Sequence, residues 1–374
     1  MKLPRLLRGP LGDDLRAAWP AWVVARGAVA LGVLLAVVAV DELRPDGARP
    51  LQLDQGFFAW DAAWYRDIAD HGYEGIGREG LRFFPLLPLL VRAVSLPLFG
   101  NVGLALVLVV NVAAFAAGVV VHRLVREETG DRALAARSAW LLALLPPAMV
   151  LVLGYAEAIA IGLAAGVFLA LRRRRWWWAA GLALLAGLCR PTGVLLALPA
   201  LVEVLRGWPG ARDRVGRLAA VVGAPVGTGV FLAWVQWKFD DWSLPLSLQN
   251  TSDLRGGWDD PFTATWSTVR SLVSGGELGE GLHAPWIGLF ALLLVVVFAR
   301  WPFSYGVFAA AVLVMALSAE NLGSIERYGL FAFPLVLALA TVTADPRVER
   351  AVLAVSGAAL TGFTTLVFVG AFVP

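Results

Sequence analysis

Long apolar runs separated by short charged segments recur along the whole 374-residue chain. The first clean run, from about Ala21 to Val40, is close to the ~20 residues a helix needs to cross a bilayer. A second extends from about Val102 to Val121. Others fall at about 138–153, 155–171, 177–189, 193–205, 218–237, 285–299, 304–319, 328–343 and 351–373. Between 83 and 99 the apolar pattern is broken by Pro85, Pro88, Arg92 and Pro97. That suits a re-entrant or interfacial hairpin better than a lipid-facing span. The pattern therefore predicts an all-α polytopic membrane protein, one domain over 1–374, with about eleven transmembrane helices. It also predicts a first outer loop over 41–101 and a long outer loop over 238–284.

Charge placement gives this topology a direction. Segments 1–18, 122–137, 172–175, 206–217, 300–303 and 344–350 hold 19 of the 31 basic residues, whereas loops 41–82, 238–284 and 320–327 hold 9. Basic residues stay on the cytoplasmic side, so the N-terminus, with Lys2, Arg5, Arg8 and Arg16, is predicted inside. The run after it is too long and lacks the small-residue site of a cleaved leader. The expected location is the cell membrane, multi-pass, among membrane lipids. The same outer loops carry 18 of the 28 acidic residues. Acids do not set topology, so their gathering there reflects either soluble loops or chemistry on the outer face.

Composition removes other classes. Hydrophobic residues make up 59% and charged residues 16%, far from the usage of soluble domains. Cys189 is the only cysteine and the histidines are His71, His122 and His283. No intramolecular disulfide or cysteine-based metal site is available, three histidines do not make a histidine-rich metal site, and no cofactor is expected. No glycine-rich phosphate loop is present, which leaves a nucleotide-driven pump or a nucleotide-sugar enzyme unsupported. No nucleic-acid partner is expected.

The most informative polar stretch is Trp60-Asp61-Ala62-Ala63-Trp64-Tyr65-Arg66-Asp67-Ile68-Ala69-Asp70-His71-Gly72-Tyr73. In a helix starting at Asp61, Trp60, Trp64 and Ile68 share one face, and Ala63, Arg66, Asp67 and Asp70 take the other. That is an interfacial helix with aromatics in the headgroup zone. Asp61 sits where the faces meet, either as an N-cap or as a general base. Asp54, Asp67, Asp70 and His71 are weaker candidates for that base. Arg190, in Leu188-Cys189-Arg190-Pro191-Thr192-Gly193, and Arg327, in Glu326-Arg327-Tyr328-Gly329, lie at the outer side by this topology. Each either snorkels to the interface or binds phosphate through its planar fork. Tyr155 and Glu157 fall at the outer turn after Pro146-Pro147.

Trp60-Asp61…Trp64-Tyr65…Ile68-Ala69…Gly72-Tyr73, followed by Phe83-Phe84-Pro85-Leu86…Pro88-Leu89, resembles the signature of the PIG-V type of GPI mannosyltransferases and their bacterial relatives. Tyr155-Ala156-Glu157, Arg190-Pro191-Thr192-Gly193 and Arg327-Tyr328…Phe333-Pro334 resemble its later motifs in the same order, so the likeness spans about 57–336. It implies a GT-C glycosyltransferase fold and a polyprenyl-phosphate sugar donor, usually mannose, with a lipid or glycan acceptor. It also implies that Asp61 is catalytic. Arg190 and Arg327 are expected to hold the donor phosphate, and Trp60, Trp64, Tyr65, His71, Tyr155, Glu157 and Tyr328 to line the substrate site. The alternative is a transporter or flippase for a lipid-linked sugar, which calls for paired broken helices and midplane charges. The sequence shows neither an internal repeat nor midplane acids.

Overall fold

The computed structural model describes residues 9–43, 47–206, 213–251, 254–274 and 283–372, and among these it is helical with no strand. Lys2, Arg5 and Arg8 lie outside the described residues, as do parts of segments 206–217 and 238–284. In chain order the α-helices are α1 Pro10–Asp41, α2 Leu51–Gln55, α3 Asp61–His71, α4 Leu86–Ser95, α5 Val102–Thr129 and α6 Arg132–Leu144. Then come α7 Glu157–Arg172, α8 Trp176–Cys189, α9 Ala197–Arg206, α10 Arg214–Phe239, α11 Leu244–Ser247 and α12 Pro261–Ser274. The last are α13 Ala284–Arg300, α14 Phe303–Leu317, α15 Ile325–Phe331, α16 Pro334–Val342 and α17 Pro346–Phe368.

Four of these, α1, α5, α10 and α17, are long and apolar enough to cross a membrane alone. The α15–α16 pair adds a fifth crossing if its 82° bend is counted within one span. The chain is thus a multi-pass membrane protein. The remaining predicted runs coincide with helices, but shorter or broken ones, so length and composition alone license four or five crossings rather than eleven. Proline explains the breaks. Pro146-Pro147 ends α6 and opens a 3₁₀ segment over Pro146–Leu151, and Pro191 does the same after α8 over Pro191–Leu196. A proline lacks the N–H that a continuing helix needs.

The stretch expected as a hairpin has one arm. α4 continues into a 3₁₀ turn over Leu96–Leu98, and the chain turns only at Phe99, which is left-handed at φ 55°. Pro88 is the third residue of α4, where an amide has no partner in the preceding turn to lose, so the helix runs through it.

Interhelical contact in a bilayer depends on close approach and polar bonds rather than on the hydrophobic effect. α8 and α10 meet through Gly187, Gly223 and Gly227; a Cβ on Gly227 would lie 2.0 Å from the Leu184 carbonyl oxygen. α17 is pinned to α1 where Thr361 and Thr365 donate to the Ala28 and Gly32 carbonyls at 3.2 and 3.0 Å. Helix ends follow the usual chemistry. Asn101 caps α5 by accepting from the Leu104 amide, and Asp345 caps α17 by accepting from Arg347 and Val348. At the centre, Phe168 of α7 packs on Tyr305 and Phe308 of α14 and on Phe333, with centroids 4.5 to 5.6 Å apart. This block fixes α7 against the bent α15–α16 pair.

Candidate active site

The sequence places Asp61 at a helix start, and the structure refines its position by one residue. Asp61 is the first residue of α3, and Trp60 occupies the cap with φ 59° and no side-chain capping bond. The N-cap role considered for Asp61 is therefore not the one it plays. A bulky residue at positive φ is strained, and such strain gathers at functional sites. The left-handed turn at Trp60 swings the chain so that α3 begins with Asp61 beside the loop ahead of α7.

That approach requires a glycine. A Cβ on Gly154 would meet the Ala62 Cβ at 2.9 Å and Leu106 Cδ2 at 2.6 Å. The loop carrying Tyr155 and leading to Glu157 can therefore lie directly on the first turn of α3. Glu157 opens α7, where the helix dipole favours a carboxylate, and its side chain is 1% exposed. Arg190 terminates α8 in extended conformation, φ −154°, just before the Pro191 break. Arg327 is the third residue of α15.

Four charges then close into one cluster. Arg327 donates through Nη1 to Asp61 Oδ2 at 3.0 Å, and its Nε lies 2.9 Å from Glu157 Oε1. Arg190 Nη1 pairs with the same Glu157 oxygen. One buried carboxylate oxygen thus serves two guanidinium groups, and two acids face two bases. The Tyr155 ring lies 5.1 Å from the Arg327 guanidinium carbon, a cation–π arrangement. The Trp60 indole N–H is buried and, among the described residues, makes no hydrogen bond. A buried donor of this kind is available to a ligand.

The other expected residues divide. Tyr65 is buried one turn along α3, its ring edge-on to Phe83 at 5.1 Å. Burial pushes its phenol well above the ordinary range; the Arg190 charge opposes that shift and Glu157 and Asp61 reinforce it. Tyr65 therefore feels the same cluster. Trp64 stacks on Phe83 at 5.8 Å. Tyr328 accepts a hydrogen bond from Arg255 Nη1 at 3.2 Å, with the Arg255 guanidinium 5.0 Å from its ring. His71 is not brought in. It ends α3, ten residues beyond Asp61, or ~15 Å along the axis, and its side chain is 60% exposed beside Asp70. Asp54 and Asp67 pair with Arg49 and Arg66 at exposed positions.

Two arginines escape the sequence reading. Arg82 lies 5.8 Å from the Trp64 ring and 5.3 Å from the Phe83 ring. Burial draws its guanidinium below the ordinary value, while the negative charges of Asp61 and Glu79 hold it up. Its signal was its place just before Phe83-Phe84-Pro85. Arg255, amid a loop rich in acids and tryptophans, carried no comparable signal. The loop that presents Arg82 is itself anchored on α10. Tyr73 donates to the Phe83 carbonyl at 2.5 Å and packs on Phe231 and Trp234, and Glu74 pairs with Lys238 at 2.8 Å. Among the described residues, no group of three His, Cys, Asp or Glu side chains converges to hold a metal ion.

The fold and the cluster together define a multi-pass helical membrane protein with an acid–arginine site built from helix breaks. Residues 50–202 match the family model described as mannosyltransferase (PIG-V). That stretch holds Asp61, Arg82, Tyr155, Glu157 and Arg190, and with them every motif of the resemblance except the one at Arg327. Among solved structures it is similar to the archaeal oligosaccharyltransferase AglB from Archaeoglobus fulgidus in complex with an inhibitory peptide and a dolichol-phosphate. The identity is 13% and the TM-score 0.45, over 92% of this chain and 55% of that one. It is also similar to an Archaeoglobus fulgidus oligosaccharyltransferase in complex with Zn and sulfate, at 14% identity and TM-score 0.43, over 92% and 52%. The chain spans about half the length of these structures. No curated protein matches it.

Proposed function

We propose that the protein moves a sugar, mannose by family resemblance, from a polyprenyl-phosphate donor to a hydroxyl of a lipid or glycan acceptor on the outer face of the cell membrane. Its fold is of the GT-C kind, with α3 an interfacial helix. The observation that carries this reading is the bond between Asp61 and Arg327, an arginine that also shares Glu157 with Arg190.

Asp61, its side chain 30% exposed, is the general base. It takes the proton of the acceptor hydroxyl as that oxygen attacks the anomeric carbon. The bond from that carbon to the phosphate oxygen breaks, its electron pair leaves with the phosphate, and one direct displacement inverts the anomeric configuration. The leaving group needs positive charge rather than a proton, and Arg190 and Arg327 supply it. The cluster adds timing. Before transfer, Asp61 and Glu157 balance the two arginines. Once Asp61 holds the acceptor's proton, Arg327 loses one of its two counter-charges just as the phosphate gains negative charge. Arg82 adds a further positive charge beside the same carboxylate. Trp60, Trp64, Tyr65, Tyr155 and Tyr328 form the walls against which sugar and isoprenoid pack.

The test is transfer of labelled mannose from polyprenyl-phosphate mannose in proteoliposomes supplied with extracted lipid and glycan acceptors. Labelled glycolipid or glycan is the expected product. Translocation of the donor across the bilayer without any transfer would establish the flippase instead. Orientation is read in a variant lacking Cys189. Cysteines at Gly75 and Asp259 should react with an impermeant thiol reagent from outside intact cells, and one at Thr129 should not. Labelling at Thr129 from outside would reverse the topology.

A further inference from the structure

α15 has seven residues and carries three consecutive side chains tied to three different parts of the molecule. Arg327 reaches Asp61 and Glu157. Tyr328 accepts from Arg255, which also donates to the Met315 and Ala316 carbonyls at 2.8 and 3.1 Å. Glu326 faces the other way. Its Oε1 lies 2.8 Å from His283 Nδ1, and both side chains are buried. Its Oε2 is buried without a hydrogen-bond partner among the described residues.

A helix this short has little stability of its own, so its rotation about its axis is set by what holds it. Successive helical residues point about 100° apart, which lets Glu326 and Arg327 grip opposite flanks. On the Glu326 flank the support is rigid. His283 is the residue preceding α13, and its ring packs 5.3 Å from Phe372, which in turn meets Phe363 of α17 at 5.2 Å. α15 also lies close on α13, since a Cβ on Gly329 would fall 2.0 Å from the Phe290 ring.

We infer that His283 is a positioning residue, acting through Glu326 to hold α15 in the rotation that points Arg327 at Asp61. The inference rests on the transferase reading above. The physical reason is the imbalance at Glu326. With one oxygen already unpaired, removing His283 leaves a buried carboxylate with no donor at either oxygen, which is costly. The available relief is for α15 to turn and bring Glu326 toward water. The same turn carries Arg327, one residue on, away from Asp61 and Glu157.

The experiment compares His283→Leu, which keeps bulk and loses the donor, with His283→Asn, whose amide sits near the place of Nδ1. Three quantities are read in detergent-purified full-length protein: binding of labelled polyprenyl-phosphate mannose, turnover in proteoliposomes, and thermal unfolding. His283→Leu should lower turnover about 10–100-fold, the scale of a misplaced catalytic group, and weaken donor binding. His283→Asn should restore both toward wild type. In an Arg327→Ala background, His283→Leu should add no further loss, because the two residues act as a unit. A loss in the double variant equal to the product of the single losses would overturn the positioning role, as would full activity of His283→Leu. Should His283→Leu fail to fold, Glu326→Gln against Glu326→Leu reads the same contact from the other side, and equal activity of the two would overturn it. Failure of the wild type to bind or consume the donor would overturn the functional reading, and the positioning role with it.

Discussion

The two ends of α7 hold acid–arginine clusters of similar composition and opposite construction. At its C-terminal end Arg172 bonds Glu128 at 2.8 Å and Glu203 at 3.4 Å, and Arg173 bonds Glu127 at 2.9 Å. Nearby, Asp14 of α1 takes His122 at 2.7 Å, Arg123 at 2.7 Å and Arg126 at 3.1 Å, and its side chain is fully buried. Most of these charges stand at the ends of long helices, α1, α5 and α7. At the N-terminal end, Glu157 gives one oxygen to both Arg190 and Arg327, and the arginines come from a proline break and a seven-residue helix. Asp61 there is 30% exposed where Asp14 is 0%. A saturated carboxylate on rigid supports locks helices together. A partly exposed carboxylate sharing cations on broken elements can exchange partners, which acid–base chemistry requires.

The comparison is sharpest at the two aspartates. Asp61→Asn keeps the shape and removes the carboxylate proposed as the base. Turnover should fall ~10²–10⁴-fold while the thermal midpoint of the purified protein stays near wild type. A transfer rate close to wild type would move the base elsewhere. Asp14→Ala should behave in reverse. It strips three donors of their acceptor and should cost about 3–5 kcal/mol of stability, read by denaturation in detergent, with turnover per folded molecule unchanged. If Asp14→Ala slowed the folded fraction as strongly as Asp61→Asn, the two ends would not be separate in role.

Arg327→Ala removes an electrostatic donor from the site and should lower turnover ~10²–10³-fold. Arg327→Lys should recover only part, because an ammonium cannot bridge Asp61 and Glu157 with a planar fork. Equal rates for Arg327→Lys and wild type would mean that charge alone suffices. The smallest effect is expected at His71, exposed at the far end of α3. His71→Ala should leave both turnover and donor affinity near wild type, and a loss as large as that of Arg327→Ala would bring the far end of α3 into the site.

Much of the site was legible because its signals are local. A tryptophan–aspartate pair opening an amphipathic stretch, a proline after Arg190 and a proline pair before Tyr155 each mark a helix break within a few residues. The residues beside them are the ones that converge. His71 was included because it shares the motif with Asp61. A motif states proximity in sequence, and eleven helical residues are enough to separate its ends. Arg82, Arg255 and the His283–Glu326 pair were missed for the converse reason: their partners lie on other elements.

The sequence by itself determined where apolar helices run, where prolines interrupt them and that an acidic, aromatic stretch follows the first span. Each of these depends on side-chain periodicity or backbone chemistry within a turn or two. Only the tertiary structure decided that Asp61 would meet Arg327, 266 residues away. It also decided that Glu157 would lie between two arginines, and that Glu326 and Arg327 would face opposite neighbours. Those outcomes turn on how closely glycine lets one element approach another and on how far each helix is rotated when it packs. A rotation of 100° exchanges one residue for the next, and no local pattern in the chain specifies it.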